Sequence, residues 1–490
     1  MFHNCTVSNA QGTFNFNDRK PCRAAEAVYP RTEAELVAAV ASVVREKRKV
    51  KASTAYSHSF PKLACPGGDT GTIISTARLN RVVSVDAERN QITVESGMIL
   101  KDLFDAAAAA GMALPNSPYF YGLTIGGLLA TGAHGTSLMR KGGAVHEHVI
   151  KVRIVTPAPP SERIAGRLAI VREIGADDPD LNAAKVSLGV LGVISQVTLQ
   201  LDPLFKRSLT ILRKDSDADL VELVSTWGHK HEFGDMYWLP GQRKVLLGQI
   251  DRVDVSTPGD GLNQAFFPPR PISDVVRERS QEDQLQEDSA VSVTLAAVPA
   301  FISDLMRLRD RNPKAFCTLD LHLGILFRYI KGSTAYLGKT HDSVEFDLIY
   351  YRSREPGRPI MHADLIDEIE QIALCTSMLV CRIGARTGTT SSMTRPEGFR
   401  GSVSSWTSRP GSTPMASSPA SGVTRFLGSM GARSFRRRDA LSKGSAPVPR
   451  TLTVRRATCA ARVRCTLMPG SALSRCPSDV PTYCARCEFT

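Results

Sequence analysis

Hydrophobic periodicity runs along this chain as far as about Cys375 and then stops. Stretches such as GSVSSWTSRPGSTPMASSPASG (401–422) follow neither the helical spacing of 3.6 residues nor the alternation of a strand. Any hydrophobic core must therefore be built from residues 1–375. Charge divides at the same place. Residues 376–490 carry 17 Arg and 1 Lys against 4 acidic residues, while residues 1–375 carry 43 basic and 44 acidic groups. The formal net charge of +13 belongs to the tail alone, so nucleic acid is not an expected partner of the folded part. By composition the tail reads as a disordered basic segment.

The first 375 residues are enough for two domains with proper cores. No run of about twenty apolar residues occurs, so no membrane-spanning helix is expected. The N-terminal MFHNCTVSNAQG has no basic segment followed by an apolar one, so no signal peptide is expected in it. Six of the eleven cysteines follow position 376. Cys5 and Cys22 bracket a polar loop and form either a disulfide, which would imply an oxidising compartment, or two free thiols.

Thr32 and Glu35 fit a capping box, and apolar positions 36, 39, 40, 43 and 44 predict a helix after it. RVVSVD and QITVES alternate and are joined by the turn AERN, which predicts a hairpin. ILKDLFDAAAAAGM predicts a second helix with Gly111 at its C-terminal end. VIKVRIVTP and the end of AAKVSLGVLGVISQVTLQL read as strands. Beyond residue 206 the chain offers a helix near 295–309, the strand-like TLDLHLGILFRYI, the strand EFDLIYYR and the helix HADLIDEIEQIAL. Strands and helices mixed in this way indicate an α+β fold. No GxGxxG lies between a strand and a helix, so a Rossmann dinucleotide domain is not supported.

Residues 124–138, TIGGLLATGAHGTSL, combine four glycines with several hydroxyl side chains and one histidine, without an acidic residue. Such a stretch is either a turn between buried segments or a nest of backbone N–H groups around a phosphate.

Four stretches decide between these readings: AYSHSFPKLACP (55–66), YGLTIGGLLATGAHGTSL (121–138), LNAAKVSLGVLGVISQVTLQLDPLFKR (181–207) and LFRYIKGSTAYLGK (326–339). Together and in this order they resemble the plant-type L-gulonolactone oxidases, members of the vanillyl-alcohol-oxidase-like flavoproteins. The resemblance runs from about residue 4 to 374. It implies a PCMH-type FAD-binding domain of two subdomains (24–205) after an N-terminal segment (1–23). An α+β substrate or cap domain (206–375) would follow, then the irregular tail (376–490).

It implies further that Gly126, Gly127, Gly132 and Gly135 let the backbone lie against the flavin and its pyrophosphate. Thr131, Thr136 and Ser137 would add hydroxyl donors, His134 would shape the site, and Gly192, Val193 and Ile194 would form a second contact with FAD. In the YSHSF loop, Ser57 and Ser59 flank His58. In relatives with this pattern the loop histidine carries the flavin covalently; the alternative is a histidine that only hydrogen-bonds beside the cofactor. Arg328 matches an active-site arginine of related aldonolactone and alditol oxidases, placed to stabilise charge as the substrate hydroxyl loses its proton.

The implied reaction is oxidation of the CH–OH group of a sugar 1,4-lactone toward L-ascorbate, with oxygen or another compound as electron acceptor. Another alcohol or carbohydrate is the alternative substrate, and an inactive product the alternative outcome. The resemblance favours a secretory, extracellular or membrane-associated location. Ala133 stands where a residue against the flavin can gate oxygen, and oxidase and dehydrogenase stay equally open.

Two departures stand out. Some relatives carry a glutamate two residues before the arginine, where this chain has Leu326, and the family's HWGK-type lysine is absent. With suitable codons, a one-base shift turns TSMLVCRIGARTGTT into KYAGLPHWGKNRNY and GSTPMASSPASGVTRFLG into FDPDGLFSSEWSDQVLG. Both decoded strings look like the family's continuation, so the sequence reads as frameshifted or mis-spliced near residue 375.

Overall fold

Thr32 begins the first helix as its side chain predicts. Its Oγ1 accepts a hydrogen bond from Glu35 N at 3.1 Å and α1 spans Glu33–Arg45. The Glu35 carboxylate returns to Arg31 N at 2.8 Å, one residue earlier than the usual capping-box partner. The computed structural model describes residues 5–7, 22–54, 61–66, 70–119, 122–259, 282–320, 324–353 and 363–376. All of them belong to one compact unit, Met1–Ala432. The expectations placed on 55–60 and on 377–490 lie outside the described residues.

β1 (Cys5–Val7) pairs antiparallel with β2 (Cys22–Ala24), setting Cys5 opposite Ala24 and Cys22 opposite Val7. Cys65 is disulfide-bonded and Cys317 carries an exposed free thiol. A parallel sheet of three strands follows in the order β3 (Glu26–Val28), β5 (Thr72–Ser75), β4 (Val50–Ser53), with the short α2 (Pro61–Ala64) after β4.

The predicted hairpin forms as β6 (Val82–Asp86) and β7 (Gln91–Glu95). It ends an antiparallel sheet completed by β9 (Val149–Pro157), β10 (Ala169–Gly175) and β11 (Val193–Gln200), in the order β10-β9-β11-β7-β6. β8 (Met112–Ala113) pairs with β12 (Asp202–Pro203). α3 (Leu100–Ala109) and α4 (Ile125–Thr131) bury Leu100, Leu103, Ile125, Leu128 and Leu129 against Ile92, Val152 and Val197 of this sheet. Gly111 follows α3 at φ +72°, a conformation that glycine adopts without strain. The short α5 (Pro160–Ile164) and α6 (Leu181–Ala184) complete this half.

The second half is one six-stranded antiparallel sheet. Its order is β13 (Lys206–Lys214), β15 (Lys244–Val253), β14 (Asp235–Leu239), β17 (Ile325–Ile330), β18 (Ser343–Ser353), β16 (Glu282–Thr294). Side chains alternate across it, as the pleat requires. Trp238, Phe327, Tyr329 and Phe346 point to one face and pack under α7 (Leu220–Lys230), α8 (Val298–Arg311), α9 (Pro313–Asp320) and α10 (Ala363–Thr376). Asp235, Arg328, Glu345 and Asp347 take the alternate positions and face the other way.

One element differs from its sequence reading. TLDLHLGILFRYI was expected to be a single strand, yet Thr318–Asp320 closes α9 and the strand begins only at Ile325. Gly324, at φ +72°, makes the break, because a Cβ there would stand 2.1 Å from the Trp238 carbonyl.

Candidate active site

A cavity of about 190 Å³ opens between α4, β4 and β11 on one side and the polar face of the six-stranded sheet on the other. Of the residues expected to hold a cofactor, Gly126, Gly127, Thr131, Gly132, His134, Gly192, Val193 and Ile194 line it, as does Ala133. The stretch 124–138 is neither an open turn nor a continuous loop. It begins as α4, which ends at Gly132 in the left-handed region (φ +68°), and the chain then leaves the helix as an extended passage. Gly126 N donates to Ser96 O at 2.8 Å, and a Cβ at Gly126 would meet Ser96 at 3.0 Å, so the helix start is pressed onto that residue.

The extended passage serves another purpose. Thr136 Oγ1 donates to Gly234 O at 2.7 Å and accepts from Tyr329 N at 3.0 Å. Ser137 N donates to Tyr329 O at 2.8 Å, and the Ser137 hydroxyl is taken up by the backbone of Met139. Gly135 abuts Ser117, where a Cβ would stand 2.8 Å from its carbonyl oxygen. Gly135, Thr136 and Ser137, expected to face the cofactor, are not among the residues that line the cavity; Thr136 and Ser137 fasten the first half of the fold to β17 and to Gly234 beside β14. Thr131 lines the cavity, but its hydroxyl donates back to Gly127 O at 2.9 Å. Ser57, His58 and Ser59 lie outside the described residues.

Arg328 is 4% exposed and sits where the cavity meets the sheet. Strand register builds its surroundings. β14 sets Asp235 opposite Arg328 and β18 sets Glu345 opposite it, while Asp347 stands opposite Leu326. The guanidinium grips Asp347 with two hydrogen bonds, Nε to Oδ2 at 2.7 Å and Nη2 to Oδ1 at 2.9 Å. Nη2 also approaches Glu345 Oε1 at 3.4 Å, and Nη1 donates to the His134 carbonyl at 3.1 Å. Glu345 in turn meets His134 Nε2 at 3.1 Å and Lys339 Nζ at 3.3 Å.

Electrostatics follow from this packing. Burial disfavours the Arg328 charge, but Asp347 and Glu345 outweigh it and hold its pKa above the ordinary arginine value. Burial would raise Glu345, yet His134, Lys339 and Arg328 hold it well below the usual carboxylate range. Asp235, buried and bonded to Tyr119 Oη at 2.7 Å, is pushed up to about 6 by burial first. The sequence reading missed Glu345, Asp347, Asp235 and Lys339. EFDLIYYR carries the signal, because two acidic residues alternate there with large apolar ones in a strand otherwise suited to burial.

The residues around the cavity fit a cofactor bearing phosphates. Ser53 and Ser96 line it, and their hydroxyls are buried without a hydrogen-bond partner among the described residues. Lys51 adds a cation on the same wall, its pKa lowered by burial. Unspent donors and a cation suit phosphate oxygens, while a Cβ at Gly126, Gly132 or Gly192 would run into Ser96, Val186 or Val155, so these glycines let the wall pack tightly behind the cavity. No group of three or more His, Cys, Asp or Glu among the described residues could hold a metal ion.

Comparisons with known proteins bear on the family and the fold. Residues 24–158 match the family model described as "FAD binding domain". L-gulonolactone oxidase 2 of Arabidopsis thaliana is 41% identical over 76% of this chain and 75% of its own length. L-gulonolactone oxidase 3 of the same plant is 36% identical over 75% of each chain. L-gulono-1,4-lactone dehydrogenase of Mycobacterium tuberculosis is 31% identical over 50% of this chain and 54% of its own. Among solved structures, cholesterol oxidase of B. sterolicum superposes with a TM-score of 0.56 at 15% identity, over 75% of this chain and 83% of that one. An alkyldihydroxyacetonephosphate synthase superposes with a TM-score of 0.52 at 13% identity, over 71% and 70%. At such identities these structures establish the fold alone.

Proposed function

The chain belongs to the L-gulonolactone oxidase family of FAD-linked oxidoreductases, and from that premise we propose that it oxidises the CH–OH group of a sugar 1,4-lactone of the L-gulono type, toward L-ascorbate. The observation that carries the reading is the meeting of two features at one cavity: a glycine-rich wall with unspent hydroxyls, and a buried arginine opposite it.

FAD, when bound, supplies the chemistry by accepting a hydride at N5 from the carbon that bears the hydroxyl. The protein does the rest. Gly126, Gly127, Gly132 and Gly192 would admit the cofactor, with Ser53, Ser96 and Lys51 toward its phosphates. Arg328, held rigid by Asp347, would stabilise negative charge on the substrate oxygen as its proton leaves. A guanidinium gripped at two points turns little, so its field is already in place when charge develops. His58 would carry the covalent link to the flavin; oxygen or another acceptor would take the electrons away. The family resemblance alone supports a secretory or membrane-associated location.

The Asp347 carboxylate bears on one departure. Opposite Leu326, it brings an acidic group across the strand to the neighbourhood where some relatives carry a glutamate at that very position. The absence of the HWGK-type lysine favours a second reading, a flavoprotein without turnover.

The test is to precipitate the purified full chain with acid and measure flavin absorbance in pellet and supernatant, then titrate fresh protein with L-gulono-1,4-lactone. Flavin in the pellet and bleaching of its visible absorbance are expected. Flavin in the supernatant would remove the covalent link. Bound flavin that no lactone bleaches would leave the second reading standing.

A further inference from the structure

His134 stands in the glycine-rich wall of the cavity, just after the left-handed turn at Gly132. Its ring is buried, and each ring nitrogen meets an oxygen. Nδ1 lies 2.9 Å from the Gly135 carbonyl, and Nε2 lies 3.1 Å from Glu345 Oε1. A carbonyl oxygen only accepts hydrogen bonds, and so does an ionised carboxylate. Glu345 is ionised: burial would raise its pKa, but His134, Lys339 and Arg328 hold it well below the usual carboxylate range. A neutral imidazole has one N–H and one bare lone pair. It satisfies one of these contacts and presses its lone pair against the other oxygen. Turning the ring by half a turn does not help, because carbons would then face both oxygens.

The other ionisable groups around the ring leave this conclusion in place. Arg328 Nη1 stands 3.5 Å from Nδ1, beyond ordinary hydrogen-bond length, and donates instead to the His134 carbonyl at 3.1 Å. Lys339 Nζ lies 3.3 Å from the second Glu345 oxygen and does not compete for the first. Asp347 is taken up by Arg328, and Asp235 by Tyr119. His146, bonded through Nε2 to Ser333 Oγ at 2.8 Å, has its pKa lowered by burial to about 4 and adds no charge at pH 7.

We propose that His134 is an imidazolium, donating from both ring nitrogens, and that it serves as a second fixed cation of the cavity, set on the cofactor's wall to stabilise the negative charge that a hydride delivers there. The role rests on the FAD-linked reading above; the charge of the ring rests on Gly135 and Glu345 alone. A hydride carries two electrons and one proton, so an acceptor that takes it up gains one negative charge. Arg328 reaches the cavity from the six-stranded sheet, where it suits the substrate oxygen, whereas His134 belongs to the opposite, glycine-rich side. Held at both nitrogens, the ring turns little, and a cation already in place lowers the energy of the new charge without reorganisation.

Two measurements on the full-length protein test the proposal. Nitrogen NMR of histidine-labelled protein at pH 7 reads the ring directly, the His134 signal being assigned by its loss in His134→Gln or its shift in Glu345→Gln. Both nitrogens should carry hydrogen, and one bare nitrogen would overturn the proposal. Sulfite reads the role without any lactone, because its sulfur lone pair adds to oxidised flavin and leaves a negative charge on the ring system. His134→Gln keeps a donor toward Glu345 and gives up the charge. In the flavin-loaded variant the sulfite dissociation constant should rise about tenfold, a modest effect for one buried charge, while flavin content and melting temperature hold. An unchanged constant would overturn the role. If the variant holds no flavin, wild type decides: a sulfite adduct upholds the role, and failure to form one overturns it. If wild type holds no flavin either, the FAD-linked reading and the role fall together, and the NMR result alone decides the charge of the ring.

Discussion

Arg328 illustrates what one buried charge requires of its neighbours. A guanidinium out of water is tolerated only when carboxylates face it with good geometry, and removing one partner leaves the other uncompensated. Arg328→Met should therefore cost about 3–5 kcal/mol of stability, because Asp347 and Glu345 would stay buried with the charge between them gone. Urea unfolding of the flavin-loaded protein reads this directly, and a loss below about 1 kcal/mol would mean that water enters and screens the carboxylates.

Asp235 is the opposite case, a carboxyl whose protonated form the fold prefers. Its folded pKa, about 6, lies above the ordinary aspartate value. Its stabilising contribution is complete below about pH 4 and is lost as pH rises through 6. Asp235→Asn removes that dependence. Relative to the variant, wild type should lose about 1–3 kcal/mol between pH 4 and pH 7, read as the difference between their melting temperatures at the two pH values. A difference that stays constant would place Asp235 in contact with solvent.

Elements meet through few contacts here, and Thr136 carries two of them. Its hydroxyl both donates to Gly234 O and accepts from Tyr329 N. Thr136→Val keeps the shape and leaves both backbone groups buried and unpaired, at about 1–3 kcal/mol each. The variant should melt earlier and retain less flavin, because the sheet that carries Arg328 would sit less firmly over α4. Equal flavin content and an equal melting temperature would show that Ser137 and its backbone bond to Tyr329 hold the two halves alone.

The same passage explains what a reader of the sequence sees and misses. Glycines 126, 127 and 132 look like one group with Gly135, Thr136 and Ser137, since nothing along the chain separates them. The helix ending at Gly132 does separate them in space: residues before it face the cavity, and those after Ala133 and His134 run on to another sheet. Capping, helix length and hairpin register are local matters, which is why α1, α3 and the β6–β7 hairpin follow directly from their residues.

At the scale of the whole molecule the two large sheets end, among the described residues, in strands with apolar side chains in solvent. Val83 on β6 is 47% exposed and Ile211 on β13 is 58% exposed. Bare edge strands with such residues are templates for pairing with another chain. The full chain should therefore self-associate as its concentration rises. Val83→Lys with Ile211→Lys should lower the mass seen by light scattering without changing the melting temperature. An unchanged mass would move the sticky surface elsewhere, and residues 377–490 would be the next to test by truncation.

Taken alone, the sequence of residues 1–375 was sufficient for an α+β fold and for the glycine-rich stretch and the arginine that the fold brings to one cavity, because these depend on short-range pattern and on motifs that stay together along the chain. Which acids hold Arg328, which glycines and hydroxyls lie away from the cavity, and where His146 meets Ser333 were decided only in three dimensions. Asp235, Arg328 and the Glu345–Asp347 pair come from three different strands and become neighbours through antiparallel register. Register is set by which face of each strand the whole core buries, and no single stretch of sequence contains that information.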